Sequence, residues 1–281
     1  TISAIVHCGA TPVLVEVGSD FNMDPAAFER AITPRTRAVM PVHLNGRLCD
    51  MDRIMETARK HKLAVIEDAC QALGATYRGK MAGSFGTGAF SFYPFKALGG
   101  FGDGGALTTD DPAVARVATL LRYNGEDRES GEFHYHGYTA LLDNVQAAVL
   151  GVKLKHFPRW VELRRRIAGL YRKALEMVPG IGLPHFPGEE YRDSYQNYVL
   201  RSKDRDALRA HLTERGIETL VSWPRPIWSH GGLKLGKPRA TLEALCQLER
   251  REGRNLSTWR RDHDQGRVRA ELDFEDQGVA R

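Results

Sequence analysis

Residues 51–75 read MDRIMETARKHKLAVIEDACQALGA, and they give the strongest indication of the fold in this sequence. Its first half carries an apolar face at helical spacing, made of Met51, Ile54, Met55 and Ala58. A short apolar run at 63–66 follows at once and is typical of a buried strand. A helix that leads directly into such a strand predicts a right-handed βαβ unit. Glu67 and Asp68 then fall at the carboxyl end of the strand, where ligands bind in open α/β folds.

The same alternation of strands and helices extends on both sides of this unit. Four further apolar runs read as strands, and they are TPVLVEV at 11–17, RAVMPV at 37–42, AFSFY at 89–93 and GALTT at 105–109. Two helix starts carry the same signal, an aspartate N-cap followed by a proline, at Asp24 with Pro25 and at the Asp110/Asp111–Pro112 step. This order predicts an α/β fold in which helices cover a parallel sheet.

The second half of the chain reads as a smaller unit. Helical periodicity runs through 144–157 and 160–177, and the later runs at 195–201 and 205–217 suit a strand and a helix. From about residue 249 both charge signs mix with few apolar positions, which is typical of disorder or of a loosely docked segment. We therefore predict a large domain at 1–153, a small α+β C-terminal domain at 154–248 and an atypical tail at 249–281.

The composition is that of a globular protein. The 281 residues are 42% hydrophobic and 27% charged, which allows a large buried core. No run approaches the roughly 20 apolar residues of a membrane span. The opening residues, TISAIVHCGATPV, lack the basic and then apolar layout of a signal peptide. We therefore expect a cytoplasmic protein with no membrane partner.

Charge and cysteine content argue against two other classes of protein. The net charge of +5 is spread along the chain, and its densest run, 164–166, lies in a helical pattern that predicts a solvated helix face. A nucleic-acid partner is therefore not expected. The sequence has no CxxC pair that would suggest a metal site or a redox dithiol. Its cysteines are scattered, at Cys8, Cys49, Cys70 and Cys246.

Two residues meet the chemical demands of a pyridoxal phosphate (PLP) site. Such a site needs a lysine for the aldehyde, an acid that keeps the pyridine nitrogen protonated, and donors for the phosphate. Lys96 lies between Phe95 and the turn ALGGFG, an apolar setting that favours the neutral amine. Asp68 follows a buried strand, where a carboxylate can pair with the pyridinium. Taken singly, the lysine also suits a surface loop and the aspartate a helix N-cap.

Three ordered blocks resemble a known family. VIEDACQALGA at 65–75, SFYPFK at 91–96 and GDGGALTT at 102–109 are similar to the DegT/DnrJ/StrS sugar aminotransferases, which are fold-type-I PLP enzymes. The resemblance extends from Thr1 to about His230. It implies a three-layer α/β/α large domain of the PLP-transferase type with a smaller α+β C-terminal domain.

The resemblance also implies roles for four residues. In the family's S-F-x-x-x-K block the lysine forms a Schiff base with the cofactor and the serine binds its phosphate, which here are Lys96 and Ser91. In the E-D-A-x-Q block the aspartate meets the pyridine nitrogen and the glutamine lies near the phenolic oxygen, which here are Asp68 and Gln71. Lys96 and Asp68 are thus the catalytic candidates, and all four are cofactor-binding candidates. The lysine also argues against the family's dehydratase branch, which typically has histidine there.

The family's reaction transfers an amino group from an amino acid, usually glutamate or glutamine, to a keto sugar that is usually nucleotide-linked. The resemblance therefore implies such a role in the biosynthesis of amino sugars, cell-surface polysaccharides or secondary metabolites. It also implies a homodimer whose active sites lie at the subunit interface.

The chain departs from the family at three places. Family members carry an additional segment before the match to Thr1, which supplies a phosphate-binding turn and a stacking aromatic residue. Thr139 and Leu141 replace the asparagine and arginine of a G-Y-N-x-R block. Beyond about Lys237 the resemblance ends, as a reading-frame change would make it do. The alternative interpretation is therefore a catalytically incompetent fragment of this fold that acts only as a structural or association partner.

Overall fold

A computed structural model of the chain describes residues 1–221, 224–233 and 235. Its helices are α1 (Ile2–His7), α2 (Pro25–Ala31), α3 (Met51–Lys60), α4 (Pro112–Leu121), α5 (Asn144–Leu175) and α6 (Arg205–Glu214). Its strands are β1 (Ala38–Val39), β2 (Ala64–Asp68), β3 (Thr76–Tyr77), β4 (Lys80–Met81), β5 (Thr87–Ser91), β6 (Gly105–Thr108), β7 (Glu126–Asp127), β8 (Glu132–Phe133), β9 (Ile181–Gly182), β10 (Tyr191–Arg192) and β11 (Arg201–Ser202). The predicted tail at 249–281 lies outside the described residues.

A four-stranded sheet in the order β1-β2-β5-β6 carries the candidate site. β1, β2 and β5 are parallel, whereas β6 runs antiparallel to β5. Asp68 lies opposite Ala89 in the register of β2 and β5, and Val42 pairs with Asp68 in a further parallel bridge. The predicted α/β fold with a parallel sheet is confirmed. The carboxyl ends of the parallel strands therefore meet at one edge of the sheet, beside Asp68.

The helix α3 buries the apolar face that its sequence predicts. Met51, Ile54 and Ala58 are fully buried and join one core cluster with Phe28 of α2 and Val39 of β1. Because α3 connects β1 to β2 and packs beside them, this cluster fixes the parallel pairing of the two strands.

The two aspartate-proline helix starts are confirmed. Asp24 accepts the backbone N–H of Ala26 at 2.9 Å at the start of α2. Asp111 accepts the N–H of Ala113 at 2.8 Å at the start of α4. Each carboxylate thus satisfies a backbone donor that the first turn of a helix leaves unpaired.

The long helix α5 packs against the loop that follows β5. It runs for 32 residues through Pro158, and Leu150, Phe157 and Val161 form a second core cluster with Leu98 of that loop. The predicted domain boundary between 153 and 154 falls within this helix, and the division into two domains stays a prediction.

The predicted strand at 11–17 is wrong. Only Val17 pairs there, in a single bridge to Met23. The chain reverses at Gly18, whose N–H donates to the carbonyl of Asn22 at 2.8 Å. An apolar alternation makes a strand only where a neighbouring strand supplies hydrogen bonds, and here the partner is a turn.

The predicted strand at 195–201 is also largely wrong, because strand geometry there reaches only Arg201 at the start of β11. A guanidinium nitrogen of Arg164 donates to the carbonyl oxygens of Tyr195 and Gln196 at 3.0 and 3.5 Å. Those carbonyl groups are thus bound by a side chain of α5 instead of by a neighbouring strand.

The same contacts correct the prediction of a solvated face at 164–166. Arg164 and Arg165 are half-buried, and Arg165 also binds the carbonyl oxygens of Asp193 and Gly74 at 2.9 and 3.1 Å. Arg166 is exposed, as predicted. Two of the three guanidinium groups therefore hold α5 to the chain around it.

Arg47 joins the sheet side of the molecule to residues 191–194. Its guanidinium lies 3.1 Å from the carboxylate of Asp193 and 3.5 Å from that of Asp20. It also stacks 3.8 Å from the ring centre of Tyr191. Burial raises the pKa of Asp193, and the adjacent Arg47 opposes that shift.

Within the described part of the chain, no helix is both long enough and apolar enough to cross a membrane. The same residues contain no group of three or more histidine, cysteine, aspartate or glutamate side chains arranged to hold a metal ion.

Gly46 lies directly against the backbone of residues 194–196. Its φ is +93°, and its carbonyl oxygen accepts the N–H of Ser194 at 2.8 Å. A Cβ at this position would lie 2.6 Å from the backbone nitrogen of Tyr195 and 2.7 Å from that of Gln196. A side chain therefore cannot fit unless the segment moves away.

Gly46→Ala should destabilise the protein more than Gly79→Ala. Gly79 also has a positive φ, of +78°, but nothing lies within 4 Å of its Cβ position. We expect a loss of about 1–2 kcal/mol for Gly79→Ala from backbone strain alone, and about 2–5 kcal/mol for Gly46→Ala from strain plus overlap. Urea unfolding measures both free energies, and equal losses would contradict the close approach.

Candidate active site

Glu67 is a buried carboxylate that joins the end of β2 to the chain just before β5. It is fully buried and accepts four hydrogen bonds. One carboxylate oxygen takes the N–H groups of Phe85 and Gly86 at 2.7 and 2.9 Å. The other takes the N–H of Gly83 at 2.8 Å and Nε2–H of His43 at 2.9 Å. The chain that enters β5 is therefore fixed to the end of β2.

His43 is held in one orientation by a second hydrogen bond. Its Nδ1 accepts the backbone N–H of Cys49 at 3.2 Å, so the hydrogen that faces Glu67 is on Nε2. Burial alone would raise the pKa of Glu67, but the bonds from His43, Gly83 and Gly86 together hold it below its usual value.

Asp68, the next residue, ends β2, and 16% of its side chain is exposed. Its Oδ1 accepts the backbone N–H of Cys70 at 3.2 Å, and its Oδ2 accepts the hydroxyl of Thr1. Burial raises its pKa, but the bonds from Thr1 and Cys70 outweigh that effect, and the net pKa is below the usual value. Asp68 is therefore an anion with room for one more donor.

Lys96 lies in a tight turn after β5. Its N–H donates to the carbonyl of Tyr93 at 2.8 Å, and the N–H of Gly100 returns to the carbonyl of Phe92 at 2.8 Å. Gly99 has to lack a side chain, because a Cβ there would overlap the carbonyl of Pro94. The side chain of Lys96 is half-buried and lines a cavity of about 570 Å³ beside α5.

The thiol of Cys70 lies within electrostatic reach of both Asp68 and Lys96. Burial, followed by the hydrogen bond and charge of Asp68, raises the pKa of Cys70 to about 12, and the charge of Lys96 opposes that rise. Asp68 is the last residue of β2 and lies opposite Ala89 of β5, and Lys96 lies five residues after the end of β5. The two residues that the sequence singled out are therefore carried by the carboxyl ends of neighbouring parallel strands.

Gln71 has one end of its side-chain amide bound. Its Oε1 accepts the backbone N–H of Asn45 at 2.9 Å, which leaves its NH₂ group to donate elsewhere. Asn45 adopts a left-handed φ of +59°, which asparagine tolerates better than most residues. Its own side chain accepts from Asn197 at 3.1 Å.

Ser91 is the last residue of β5, and it begins the turn that carries Lys96. Its Oγ accepts the N–H of Tyr93 at 3.2 Å, so its hydroxyl hydrogen is available to an acceptor. The adjacent parallel strands β2 and β5 thus end at Asp68 and Ser91, and Gln71 and Lys96 follow in the loops after them.

Thr139 has a local partner. Its hydroxyl bonds Asn124 Oδ1 at 2.9 Å, beside a bridge between Tyr123 and Thr139. The residue that departs from the family pattern therefore closes the 123–139 loop on itself.

Three residues that hold this site were missed in the sequence. Asn45 belongs to an Asn-Gly step, a turn signal that points to the backbone conformation but not to the contact with Gln71. Gln196 lies in a segment predicted to be a strand, and Thr1 lies far from Asp68 along the chain. No local pattern identifies either contact, because both depend on residues 67 or more positions away.

Comparison with known proteins gives the family of this fold and site. The model of the DegT/DnrJ/EryC1/StrS aminotransferase family matches residues 1–243, and the chain belongs to that family. Pyridoxal phosphate is the cofactor of its members. The resemblance read from the three sequence blocks is thereby confirmed.

Two curated relatives and one solved structure illustrate the match. The chain is 42% identical over 260 residues to the pleiotropic regulatory protein of Geobacillus stearothermophilus, covering 87% of this chain and 69% of the relative. It is 45% identical over 226 residues to dTDP-3-amino-3,4,6-trideoxy-alpha-D-glucose transaminase of Streptomyces venezuelae, covering 80% and 59%. The crystal structure of S. venezuelae DesV in complex with a ketimine intermediate matches with a TM-score of 0.82 at 42% identity, covering 88% and 66%. The chain thus spans 59% to 69% of the length of these relatives.

Glu67→Gln should destabilise the fold strongly at neutral pH. Each carboxylate oxygen receives two N–H donors, so an amide NH₂ would face donors in either orientation. We expect a loss of about 2–4 kcal/mol in unfolding free energy. The exposed Glu56→Gln is the matched control and should change little.

The same variant tests the pKa of Glu67. A carboxyl whose folded pKa is depressed stabilises the fold above its unfolded pKa and loses that contribution as pH falls through the folded value. The difference in stability between wild type and Glu67→Gln should therefore narrow below about pH 4. Denaturant unfolding at several pH values measures this, and a constant difference would contradict a lowered pKa.

Proposed function

We propose that this chain is a PLP-dependent aminotransferase that moves an amino group from an amino acid, glutamate or glutamine, to a nucleotide-linked keto sugar. The reaction would serve the biosynthesis of amino sugars for cell-surface polysaccharides or secondary metabolites. Family membership supports the reaction class, and relatives named as transaminases of dTDP- and UDP-linked sugars support the substrate class. One observation carries the proposal, namely that Asp68 ends β2 and the turn of Lys96 follows β5, the parallel strand that pairs with β2.

The side chains at the sheet edge fit this cofactor. Asp68 is an anion with an exposed edge, which suits a protonated ring nitrogen. No described residue accepts a hydrogen bond from the NH₂ group of Gln71, which suits the phenolic oxygen, and Ser91 has a hydroxyl hydrogen for the phosphate. Lys96 lines an open cavity, so its amine is within reach of an aldehyde. The donors, the acceptor and the amine therefore match the groups that PLP presents.

Each residue has a distinct task in this proposal. When bound, the cofactor supplies a protonated pyridine ring that withdraws electrons from the bonds of the attached amino acid. Asp68 holds the proton on the ring nitrogen, because its lowered pKa keeps it anionic. Lys96 Nζ would hold the aldehyde end of the cofactor and would serve as the general base and acid that moves the proton of the substrate carbon. Gln71 and Ser91 orient the ring and the phosphate.

We also propose that the protein acts as a homodimer in the cytoplasm, with no nucleic acid or membrane partner. The family resemblance supports the dimer. Lys96 supplies the amine that transamination requires. The dehydratase branch of the family typically has histidine at this position, so we do not assign the chain to that branch.

Purified protein with added PLP should show a visible absorbance band that Lys96→Ala lacks. Lys96 is the proposed amine for the aldehyde, and alanine removes it. Lys80→Ala, an exposed lysine in the β3–β4 hairpin, is the control and should keep the band. A colourless wild type would favour the alternative, a catalytically incompetent fragment that only associates with intact subunits.

Asp68→Asn should keep a visible band but transaminate slowly, because a neutral amide no longer holds the ring proton. We expect the rate at which L-glutamate or L-glutamine bleaches the band to fall by at least about 100-fold. Asp52→Asn, an exposed carboxylate paired with Arg78, is the control. Stopped-flow absorbance gives both rates, and an unchanged rate would remove Asp68 from this role.

A further inference from the structure

Both peptide groups that flank Lys96 are bound by one side chain from a distant segment. Oε1 of Gln196 accepts the N–H of Ala97 at 2.9 Å, and Nε2 of Gln196 donates to the carbonyl of Phe95 at 2.8 Å. One planar amide therefore fixes the backbone on either side of Lys96. We propose that Gln196 is a positioning residue for Lys96, an inference that rests on the function proposed above.

The turn around Lys96 has little other support on this side. Phe95 is 81% exposed, and Tyr93 and Pro94 are exposed as well. Among the described residues, no other side chain forms a hydrogen bond to the backbone of Phe95 or Ala97. Apolar packing resumes only after Lys96, at Ala97 and Leu98, so the hydrogen bonds of Gln196 hold the exposed part of the turn to the rest of the molecule.

The far end of the turn is held from α5. Nζ of Lys153 donates to the carbonyl of Gly99 at 2.6 Å, and the amide oxygen of Gln146 accepts the N–H of Phe101 at 2.8 Å. These contacts lie three or more residues beyond Lys96. Among the described residues, Gln196 is therefore the side chain that binds the two peptide groups on either side of Lys96.

Gln196 is in turn anchored to rigid parts of the molecule. Its own carbonyl and that of Tyr195 are bound by Arg164 of α5 at 3.5 and 3.0 Å. Ser194 donates its N–H to the carbonyl of Gly46 at 2.8 Å. The 194–197 segment is thus fixed at both α5 and the sheet edge before it reaches the turn.

The next residue reaches the other side of the site. Asn197 donates to the side chain of Asn45, whose N–H holds Gln71. Two consecutive residues of the 194–197 segment therefore contact the supports of Lys96 and of Gln71. This arrangement suits a positioning element, because small displacements of an attacking amine lower its reactivity.

Gln196→Met tests the proposal, since methionine keeps the length of the side chain but forms neither hydrogen bond. In the full chain without cofactor, hydrogen exchange at the Ala97 amide should be roughly threefold to tenfold faster. With PLP added, the affinity read from the visible band should be roughly tenfold weaker. Asn197→Ala is the matched control and should leave exchange at Ala97 unchanged.

A second variant separates the loss of one hydrogen bond from a general loss of folding. Gln196→Glu keeps an acceptor for the Ala97 N–H but has no donor for the Phe95 carbonyl. Hydrogen exchange at Ala97 should therefore stay near the wild-type rate. The PLP affinity of this variant should lie between those of wild type and Gln196→Met. Circular dichroism confirms that each variant is folded.

Wild-type exchange at Ala97, or wild-type PLP affinity, in folded Gln196→Met would overturn the positioning role. If wild type itself forms no visible band with PLP, the proposed function fails instead. The exchange comparison still decides, in that case, whether Gln196 holds the turn.

Discussion

The buried carboxylate of Glu67 is the interaction on which the rest of the site depends. It gathers three backbone N–H groups from 83–86 and the imidazole of His43 at the end of β2. Four donors satisfy the charge that burial would otherwise make costly. Because successive residues of a strand point to opposite faces, Asp68 emerges on the other side. One carboxylate therefore holds the strand ends together, and its neighbour is left partly exposed for chemistry.

The site is completed by chain that lies more than a hundred residues further along. The 194–197 segment approaches Gly46 where no Cβ fits, and from there it reaches both Asn45 and the turn of Lys96. Arg164 binds its carbonyl oxygens and so connects it to α5. The candidate amine is thus positioned by contacts from the sheet edge, from α5 and from this segment together.

Electrostatics at the sheet edge separates the roles of the ionisable groups. Donors around Glu67 and Asp68 outweigh burial and keep both carboxyls anionic, whereas burial and the charge of Asp68 keep Cys70 a neutral thiol. Lys96 lines a cavity, and no carboxylate among the described residues forms an ion pair with it. A carbonyl group could therefore approach its amine from the cavity.

The βαβ unit, the aspartate-capped helices, the family and the position of Asp68 at the end of a strand were all predictable from the sequence. These depend on local periodicity, capping and short motifs, which are readable within a few residues. Two features became clear only from the tertiary structure. Residues 195–197 support the site instead of forming a strand, and Arg164 and Arg165 bind backbone carbonyl groups. Those outcomes depend on partners far along the chain, and neither period nor composition encodes which distant group will meet a given side chain.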